Sequence, residues 1–514
     1  MAQIPYRGNL SAKVFPFLSS QFGRTVIING QDQVNVFQGG IDSTSGDNNI
    51  PQMYYCENVV PTPQGYKSVG YSQVLPAVGV NFQRVLPVRD PDMTRGWLGV
   101  CADGAVYIYK AGDTFWTNIT ATTGGWLGGN VSIAYVAGYS YLCLANFNVF
   151  KIDVTNRTMA AVNLLGITES DIVAITSSSN YLVISDGITV YWSSTINPED
   201  FVPSLITGAG SLKPTDVEGL IVALIPLSNG FAVYTSVNVV ISSYSQNPRF
   251  PWIFRGADNS RGIANIEHVT FSSDDGTNYA WTSGGIQKIS VSGAVTVMPE
   301  VTDFLSGKEL ETFNTATNEI TSTYLVTPIR VKLSFIGARY LVISYGEDSL
   351  THALIYDTSL KRWGKLKLDH VSCFEVALNT DGAVPTSAAA SPKRSLGFVN
   401  STGIVNICNF ENGFRTDDAV MLLGKFQLVR SRATTLEGVV VESVDSNNTE
   451  FDMLVQTSYD GKTNDVFTVP YMSAASPKMR EYKCRVTGVN HTLVLKGCFH
   501  LNAFMLTLHV NGRR

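Results

Sequence analysis

Short apolar runs separated by turn residues dominate this chain, and helical periodicity is nearly absent. Seven similar units follow one another, each with an apolar run, a turn and a second apolar run. They begin at Gly96, Gly138, Ser179, Ser228, Thr277, Ala338 and Arg394. A single small sheet would expose both faces, whereas radial stacking of several sheets buries them. The repeat therefore predicts an all-β fold, a degenerate β-propeller with about six to seven irregular blades.

One hairpin signature supports this architecture. The stretch SSDDGTNYAW (272–281) resembles the Asp box, Ser-x-Asp-x-Gly-x-Thr-Trp, which recurs in the propellers of sialidases. Asn278 stands in place of the Thr and Tyr279 in place of the Trp. Because the Asp and Gly of such a box hold a tight turn, the stretch indicates a blade hairpin and by itself no chemistry.

The length and spacing of the apolar runs divide the chain into three parts. We predict an N-terminal arm with docking strands over 1–80, a propeller-like domain with insertions over 81–418, and a small C-terminal β-sandwich over 419–514. The last part has longer alternating runs than the repeat units. Two polar tracts within the propeller, 306–324 and 379–395, are expected to form loops.

Charge is sparse and unevenly distributed. Only 15% of the residues are charged, so a largely neutral polar surface is expected, which suits persistent assembly. Residues 161–248 carry seven acidic side chains and one lysine, a net charge of −6. The acidic side chains are Glu169, Asp171, Asp186, Glu199, Asp200, Asp216 and Glu218.

A basic stretch near the C-terminus, KMREYKCR, has two possible interpretations. Lys478, Arg480, Lys483 and Arg485 surround a single acid, Glu481. The stretch forms either a solvated face or a docking surface for another protein.

The cysteines and the hydropathy of the sequence indicate the cellular compartment and whether the chain enters a membrane. Seven cysteines are scattered without a C-x-x-C pair, as expected for reduced thiols made in a reducing compartment. The first 23 residues lack the pattern of a secretory signal. The longest apolar run, 219–227, is too short for a membrane span. We expect a soluble protein with no membrane insertion.

No catalytic constellation is recognisable. Nucleotide-binding glycine motifs, histidine pairs with metal-ligand spacing and a G-x-S-x-G elbow are all absent from the sequence. A sialidase-type site needs an arginine cluster, and no spacing singles out Arg249, Arg255, Arg261 and Arg339. Trp192, at a strand end, is either a carbohydrate platform or a core residue, and the core is favoured. We expect no enzyme activity, no cofactor and no metal.

Three stretches together resemble the tail nozzle, or tail-hub, proteins of short-tailed bacteriophages. The first is residues 56–80, with Asn58, Pro63, Gly65 and Gly70 at the positions of that family's Asn…Pro…Gly element. The second is GITVYWSSTINPEDF (187–201), similar to a strand–Trp–Ser–x–x–Asn-Pro–acidic–aromatic element of its propeller. The third is LVQTSYDGKTNDVF (454–467) followed by REYKCRVTGVNHTLVLKGC, similar to its terminal hairpin and basic segment.

The resemblance implies a structural virion protein. Six copies would form a homohexameric ring below the portal–adaptor complex, continuing the channel through which phage DNA is ejected. Tailspikes or tail fibres would attach outside, and assembly would occur in the host bacterial cytoplasm. The alternative is a carbohydrate- or receptor-binding propeller, a sialidase-like lectin or enzyme.

The nozzle interpretation gives the acidic segment a role. A conduit must pass DNA without binding it specifically, and cations that pair with phosphates would hold it back. Glu199, Asp200, Asp216 and Glu218 are therefore candidate channel-lining residues. The competing interpretation is that these acids face bulk solvent.

Overall fold

The structure is a computed structural model. It describes residues 10–16, 25–28, 32–35, 53–63, 65–73, 79–92, 94–120, 126, 128–247, 250–297, 301, 305, 309–314, 316, 319–324, 330–337, 339–347, 349–360, 362–378, 393–401, 403–408, 410, 418–426, 434–443, 450–459, 462–471, 479–488 and 490–510.

Seven short strands precede the repeat region. They are β1 (Leu10–Pro16), β2 (Thr25–Ile28), β3 (Asp32–Asn35), β4 (Met53–Glu57), β5 (Val59–Thr62), β6 (Gly65–Ser68) and β7 (Ser72–Gln73).

Five four-stranded antiparallel sheets then follow in chain order, and we number them as blades. Blade 1 is β8 (Phe82–Arg89), β9 (Arg95–Cys101), β10 (Val106–Lys110) and β11 (Thr117–Asn118). Blade 2 is β12 (Val131–Val136), β13 (Tyr139–Leu144), β14 (Asn148–Asp153) and β15 (Thr158–Ala161). Blade 3 is β16 (Ala174–Ser178), β17 (Tyr181–Ser185), β18 (Val190–Trp192) and β19 (Gly210–Leu212). Blade 4 is β20 (Ile221–Leu227), β21 (Gly230–Thr235), β22 (Val239–Tyr244) and β23 (Trp252–Gly256). Blade 5 is β24 (Val269–Ser272), β25 (Thr277–Thr282), β26 (Gly285–Ser290) and β27 (Gly293–Thr296). Two 3-10 turns, Glu169–Asp171 and Ile266–His268, lie in the connections before blades 3 and 5.

The remaining strands complete the ring and build the C-terminal part. A hairpin of β28 (Glu309–Asn314) and β29 (Glu319–Tyr324) precedes blade 6. Blade 6 is β30 (Arg330–Ile336), β31 (Tyr340–Gly346), β32 (Leu350–Asp357) and β33 (Arg362–His370). Blade 7 takes β34 (Ser372–Leu378), β35 (Lys393–Val399) and β36 (Val405–Cys408). The last strands are β37 (Val420–Phe426), β38 (Thr434–Ser443), β39 (Glu450–Tyr459), β40 (Lys462–Tyr471), β41 (Met479–Gly488), β42 (Asn490–Cys498) and β43 (His500–Val510).

The seven repeat units of the sequence correspond to the seven blades. Each unit covers the second and third strands of a blade; the unit at Gly138, for example, covers β13 and β14. The predicted β-propeller is therefore confirmed, and it has seven blades. The polar tract 306–324, expected to be a loop, instead contains the strands β28 and β29, which pair with each other, and Phe313 is buried beside Tyr55.

Blade 7 is completed by a strand from the other end of the propeller. β7 pairs with β36, with Gln73 opposite Asn406 and Ser72 opposite Ile407. The outermost strand of the last blade thus comes from the segment that precedes the first blade. This pairing fastens the ring, because separating blade 7 from blade 1 would also require breaking it.

Serine hydroxyls join the innermost strands of neighbouring blades. Ser132 Oγ accepts a hydrogen bond from the Ile175 N–H (3.1 Å). Ser177 Oγ accepts one from the Tyr135 N–H (3.3 Å). Inner strands have a sheet partner on only one edge, so these small side chains satisfy N–H groups that would otherwise be unpaired.

Apolar clusters fill the spaces between adjacent blades. Between blades 1 and 2 the cluster includes Leu98, Ile108, Leu142 and Phe150, each of them inaccessible to solvent. Comparable clusters lie between the other neighbours, so each sheet buries both faces. This is the arrangement that the repeat in the sequence requires.

The C-terminal strands form a two-layered sandwich that is continuous with the propeller. One layer is the five-stranded sheet β4-β37-β42-β39-β40. The other contains β43, β38 and β41, and the β5–β6 hairpin joins it edge to edge to β33 of blade 6. Met421, Met453 and Leu493 of the first layer pack in one cluster with Leu436 and Val439 of the second. The predicted C-terminal β-sandwich is confirmed.

The hairpin that joins the two parts carries the first family-like element. Asn58 has a positive φ of 57°. Its Oδ1 accepts a hydrogen bond from the Lys367 N–H of blade 6 (3.0 Å), and its carbonyl oxygen accepts one from the Val69 N–H (2.8 Å). The Asn…Pro…Gly element is therefore placed at the junction between propeller and sandwich.

Candidate assembly surfaces and the axial cavity

The second family-like element organises a long loop in blade 3. Residues 193–209 connect β18 to β19, and we call them the blade-3 loop. Trp192 anchors its base, since its indole N–H donates to the Gly208 carbonyl oxygen (2.8 Å) and its ring is buried. Trp192 is thus a core residue, the interpretation favoured from the sequence.

Local hydrogen bonds hold the blade-3 loop in shape. Ser194 Oγ accepts from the N–H groups of Ile196 (3.0 Å) and Asn197 (3.3 Å). Asn197 Oδ1 accepts from the Glu199 N–H (3.1 Å), and the Ser194 N–H donates to the Asp200 carbonyl oxygen (2.7 Å). Such Asx- and Ser-type turns fix a loop without a hydrophobic core of its own.

The same loop presents large apolar side chains to solvent. Ile206 is 91% exposed, Ile196 78% and Leu205 69%, and Val202 is also exposed. Apolar groups grouped on one ordered loop are typical of a surface that another protein covers. Scattered exposure alone would need no such explanation.

Blade topology gathers five of the acidic residues at one end of the propeller. In an up-and-down sheet, the loop after the second strand and the connection after the fourth strand lie at the same end. The connections 162–173 and 213–220 and the loop 186–189 therefore share one end of blades 3 and 4. We call this end the acidic face; its acidic residues are Glu169, Asp171, Asp186, Asp216 and Glu218.

The four candidate channel-lining residues differ in exposure and in their contacts. Asp216 and Glu218 are exposed on the acidic face, and Asp216 Oδ2 accepts from the Gly256 N–H (2.8 Å). Glu199 and Asp200 are half-buried in the blade-3 loop, and Asp200 forms an isolated β-bridge with Leu165 of the connection 162–173. Glu199 Oε1 lies 3.6 Å from Lys151 Nζ, so its carboxylate has a partner within the chain. That the four line a channel between copies stays a prediction.

The basic stretch near the C-terminus lies on the last strand of the larger sheet, β41. Lys483 and Arg485 are exposed and alternate with the buried residues Tyr482, Cys484 and Val486. Arg480 belongs to the same strand, and Lys478 lies outside the described residues. Among the described strands β41 pairs only with β38, at the end of the larger sheet.

A cavity of about 720 Å³ runs along the propeller axis. The innermost strands of all seven blades line it, with an apolar wall that includes Leu86, Ile133, Ile175 and Leu224. None of the four candidate channel-lining residues is among its lining residues. Its volume suits a small ligand.

Charged groups lie in two layers of this cavity. Near the start of the inner strands, Lys332 Nζ lies 2.7 Å from Glu267 Oε1. In the same layer the Arg84 guanidinium donates from Nη1 to the Val131 carbonyl oxygen (2.5 Å). Burial lowers the pKa of Arg84, and the nearby Glu267 carboxylate counteracts that effect.

The other mouth of the cavity is basic. Arg394 Nη1 lies 2.8 Å from Glu375 Oε1. Arg89 lies over the Tyr135 ring, with its Cζ 4.8 Å from the ring centroid, and Arg95 is exposed beside it.

The cations that line the cavity are not the arginines that were considered for a sialidase-type site. Arg255, Arg261 and Arg339 are not among the cavity-lining residues, and Arg339 pairs with the buried carboxylate of Asp357. Arg249 lies outside the described residues. Sequence reasoning missed the cavity cations because only the ring brings together strands from blades 1, 6 and 7. A basic residue within the first strand of a blade, such as Arg84 or Lys332, was the available signal.

The contacts of the Asp-box-like hairpin stabilise its own turn. It forms the turn between β24 and β25, and the Gly276 N–H donates to the Ser272 carbonyl oxygen (3.0 Å). Asp275 holds the turn by accepting from the Thr277 hydroxyl (2.7 Å) and pairing with Lys288.

The cysteines are free thiols, and six of the seven are buried. Burial raises the pKa of Cys101, Cys143 and Cys373 to about 12, so these thiols are poor nucleophiles. Within the described part of the chain, no three His, Cys, Asp or Glu side chains are placed to hold a metal ion. In that same part, no helix is both long and apolar enough to span a membrane.

Comparisons with known proteins concern the fold. No family model matches the sequence, and no curated protein matches it. The chain is similar to the extracellular domain of a one-component system from B. thetaiotaomicron, at 8% identity and a TM-score of 0.42, covering 93% of this chain and 65% of that one. It is also similar to YCF48 bound to a D1 peptide, at 12% identity and a TM-score of 0.38, over 69% of this chain and 98% of that one. A third similar structure is the designed protein Ika8, at 10% identity and a TM-score of 0.36, over 66% of this chain and 99% of that one. None of the three is described as a phage tail protein.

Proposed function

We propose that the chain is a structural subunit of the tail nozzle of a short-tailed bacteriophage. It would act as a ring of copies, a homohexamer by the family resemblance, attached below the portal–adaptor complex in the virion tail and carrying spikes or fibres. The ring would let phage DNA pass without specific binding. The protein would be assembled in the host cytoplasm and have no catalytic activity.

The observation that carries the proposal is a pair of different, complementary surfaces on one chain. The acidic face exposes Asp171, Asp216 and Glu218 on blades 3 and 4, and β41 exposes Lys483 and Arg485 on the sandwich. A contact between two unlike patches is heterologous, and repeating it generates a closed ring or a filament. Opposite charges favour this contact and disfavour contacts between like surfaces.

The cavity supports a separate path for DNA. A volume of about 720 Å³ along the propeller axis suits a small ligand and not a duplex. DNA would therefore pass between copies and not through one propeller.

A charge-swap experiment on the full chain tests the proposal. Oligomeric state would be measured by mass photometry and negative-stain electron microscopy for Lys483→Glu with Arg485→Glu, and for Asp171→Lys with Glu218→Lys. We expect each pair to prevent ring formation and all four substitutions together to restore it. The control Arg89→Glu with Arg95→Glu, which reverses two exposed cations of blade 1 outside both surfaces, should form rings normally.

Two results would count against this assignment. Wild-type protein that stays monomeric at every concentration, with and without its portal–adaptor complex, would refute a ring. Rings that form equally well in both reversed pairs would show that these surfaces are not the contact.

The axial cavity favours the second candidate function, a carbohydrate- or receptor-binding propeller. Such a protein would bind its ligand as a monomer. Glycan binding by a chain that forms no ring, alone or with portal–adaptor proteins, would support it over the nozzle.

A further inference from the structure

We propose that the axial cavity is a binding site for a small oxyanion, a ligand carrying a carboxylate or a phosphate group, with Arg84 as its principal contact. The proposal goes beyond the structural role of the chain and does not depend on ring formation.

The balance of charge in the cavity is the first observation. Five cationic side chains line it, together with two carboxylates. The cations are Arg84, Arg89, Arg95, Lys332 and Arg394, and the carboxylates are Glu267 and Glu375. Each carboxylate has its own close cation, because Glu267 pairs with Lys332 and Glu375 with Arg394.

Three arginines are left over by this pairing. Among the described residues, no carboxylate oxygen lies within 4.0 Å of a nitrogen of Arg84, Arg89 or Arg95. The charged side chains that line the cavity are five cations and two anions, so the cavity carries an excess of three positive charges. A concave wall of low dielectric concentrates such a field and attracts anions.

The surroundings of Arg84 are the second observation. Its guanidinium is partly shielded from solvent, and the hydrogen bond from Nη1 goes to a neutral acceptor, the Val131 carbonyl oxygen. A guanidinium has five N–H donors in a fork that matches two oxygens of a carboxylate or phosphate. The carboxylate near Arg84, Glu267, is already paired with Lys332, so a bound oxyanion would offset more of the cost of dehydrating the Arg84 guanidinium.

The position of the cations along the axis is the third observation. Arg84 and Arg89 lie five residues apart on β8, about 16 Å at the usual rise of a strand. Arg89, Arg95 and Arg394 thus form a basic mouth, and Arg84 lies near the opposite end of the cavity, with the apolar wall between. A ligand attracted at the mouth could place its anionic group at Arg84 and its body against Leu86, Ile133 and Leu224.

Calorimetric titration of the full chain at low ionic strength tests the proposal. The probes are inorganic phosphate and glucuronate, with glucose as the neutral control. We expect at least one oxyanion to bind and glucose not to bind. Phosphate binding alone would identify a free phosphate site, and glucuronate binding alone would identify an acidic sugar site. Failure of both oxyanions to bind at about 10 mM, ten times a weak Kd of about 1 mM, would overturn the proposal.

Substitutions locate the site. Arg84→Met keeps an unbranched apolar stem and removes the guanidinium with its charge, and we expect it to weaken binding at least about tenfold. Arg255→Gln, on an exposed residue outside the cavity, should bind as the wild type does. Unchanged affinity in Arg84→Met would exclude this residue and overturn the assignment.

A second variant covers the case in which Arg84→Met fails to fold. Arg89→Gln with Arg95→Gln alters exposed residues at the mouth and should slow ligand association and weaken binding by a smaller factor. No change in binding in this variant would then overturn the proposal. Because all these measurements use ligand binding, their failure is distinguishable from a failure of ring assembly.

Discussion

The Val85 N–H donates a hydrogen bond to Ser372 Oγ across 3.3 Å, although 287 positions of sequence separate the two residues. Val85 lies on the innermost strand of blade 1 and Ser372 begins the innermost strand of blade 7. The contact therefore closes the ring of seven blades. Both residues are buried, so neither polar group can turn to water instead.

Ser372→Ala should weaken this closure. The substitution leaves the buried Val85 N–H without its acceptor, and we expect the free energy of unfolding to fall by about 1 to 3 kcal/mol. Chemical denaturation followed by tryptophan fluorescence would measure the loss. Ser170→Ala, on an exposed residue of the connection between blades 2 and 3, is the matched control and should change stability by less than about 0.5 kcal/mol. Equal stability of both variants would show that the hydrogen bond contributes nothing.

Gly364→Ala should disrupt the junction between propeller and sandwich. A Cβ on Gly364 would lie 2.3 Å from the Val59 carbonyl oxygen, where β33 and β5 approach each other. Backbone atoms must move to relieve such a contact, so we expect a loss of about 1 to 3 kcal/mol in thermal or chemical unfolding. At Gly256 the nearest atom to an added Cβ is 3.7 Å away, an ordinary contact. Gly256→Ala should therefore be tolerated, and similar losses in the two variants would contradict the explanation.

Two buried histidines should make the protein sensitive to mild acid. Burial lowers the pKa of His370 to about 4 and that of His352 to about 2. In the unfolded chain a histidine has a pKa near 6.5, so below that pH the unfolded state takes up protons that the folded state does not. The contribution of these two histidines to the free energy of unfolding is fully present above pH 6.5. It is lost as the pH falls toward 4, by about 1.4 kcal/mol per pH unit for each histidine.

His370→Gln tests this pH dependence. The neutral ring of His370 donates from Nδ1 to the Leu368 carbonyl oxygen (2.8 Å), and Nε2 accepts from the Ser344 hydroxyl (2.8 Å). Glutamine has no proton to gain in this range, so the slope of unfolding free energy between pH 6.5 and 4 should become shallower. Urea unfolding at several pH values would measure it, and an unchanged slope would remove His370 as the cause.

The blade-3 loop should contribute to association and little to folding. Leu205→Ser with Ile206→Ser removes two of its exposed apolar side chains. We expect the melting temperature to stay the same and self-association, measured by sedimentation velocity, to decrease. Ile253→Ser, on an exposed residue of blade 4, is the control. A large drop in melting temperature would instead show that the loop supports the fold.

Absence of glycosidase activity stays a prediction from the sequence. Asp275 of the Asp-box-like hairpin is engaged by Thr277 and Lys288, and the arginines considered for a sialidase site are not gathered in the axial cavity. The purified protein should release no product from fluorogenic sialosides or other glycosides. Turnover that a single Asp, Glu or Tyr substitution abolishes would make the protein an enzyme.

Local patterns in the sequence determined the blades. Alternation of apolar and polar residues with turns indicates antiparallel strands, because side chains in a strand point alternately to two faces. The seven units located the second and third strands of each blade, from β9 and β10 to β35 and β36. The longer alternating runs that begin near residue 419 likewise located β37, the first strand of the sandwich that follows the propeller.

Only the tertiary structure decided which distant residues meet. β7 completes blade 7, Val85 meets Ser372, and Arg84 shares a cavity with Lys332, although each pair is separated by hundreds of residues. Closure of a ring brings its first and last blades together, and no local periodicity encodes that contact. The acidic segment illustrates the same limit: it is continuous in sequence, yet Glu199 is half-buried beside Lys151 of blade 2 and Glu218 is exposed to solvent. Composition records how many charges a segment has, and the path of the backbone decides where they are.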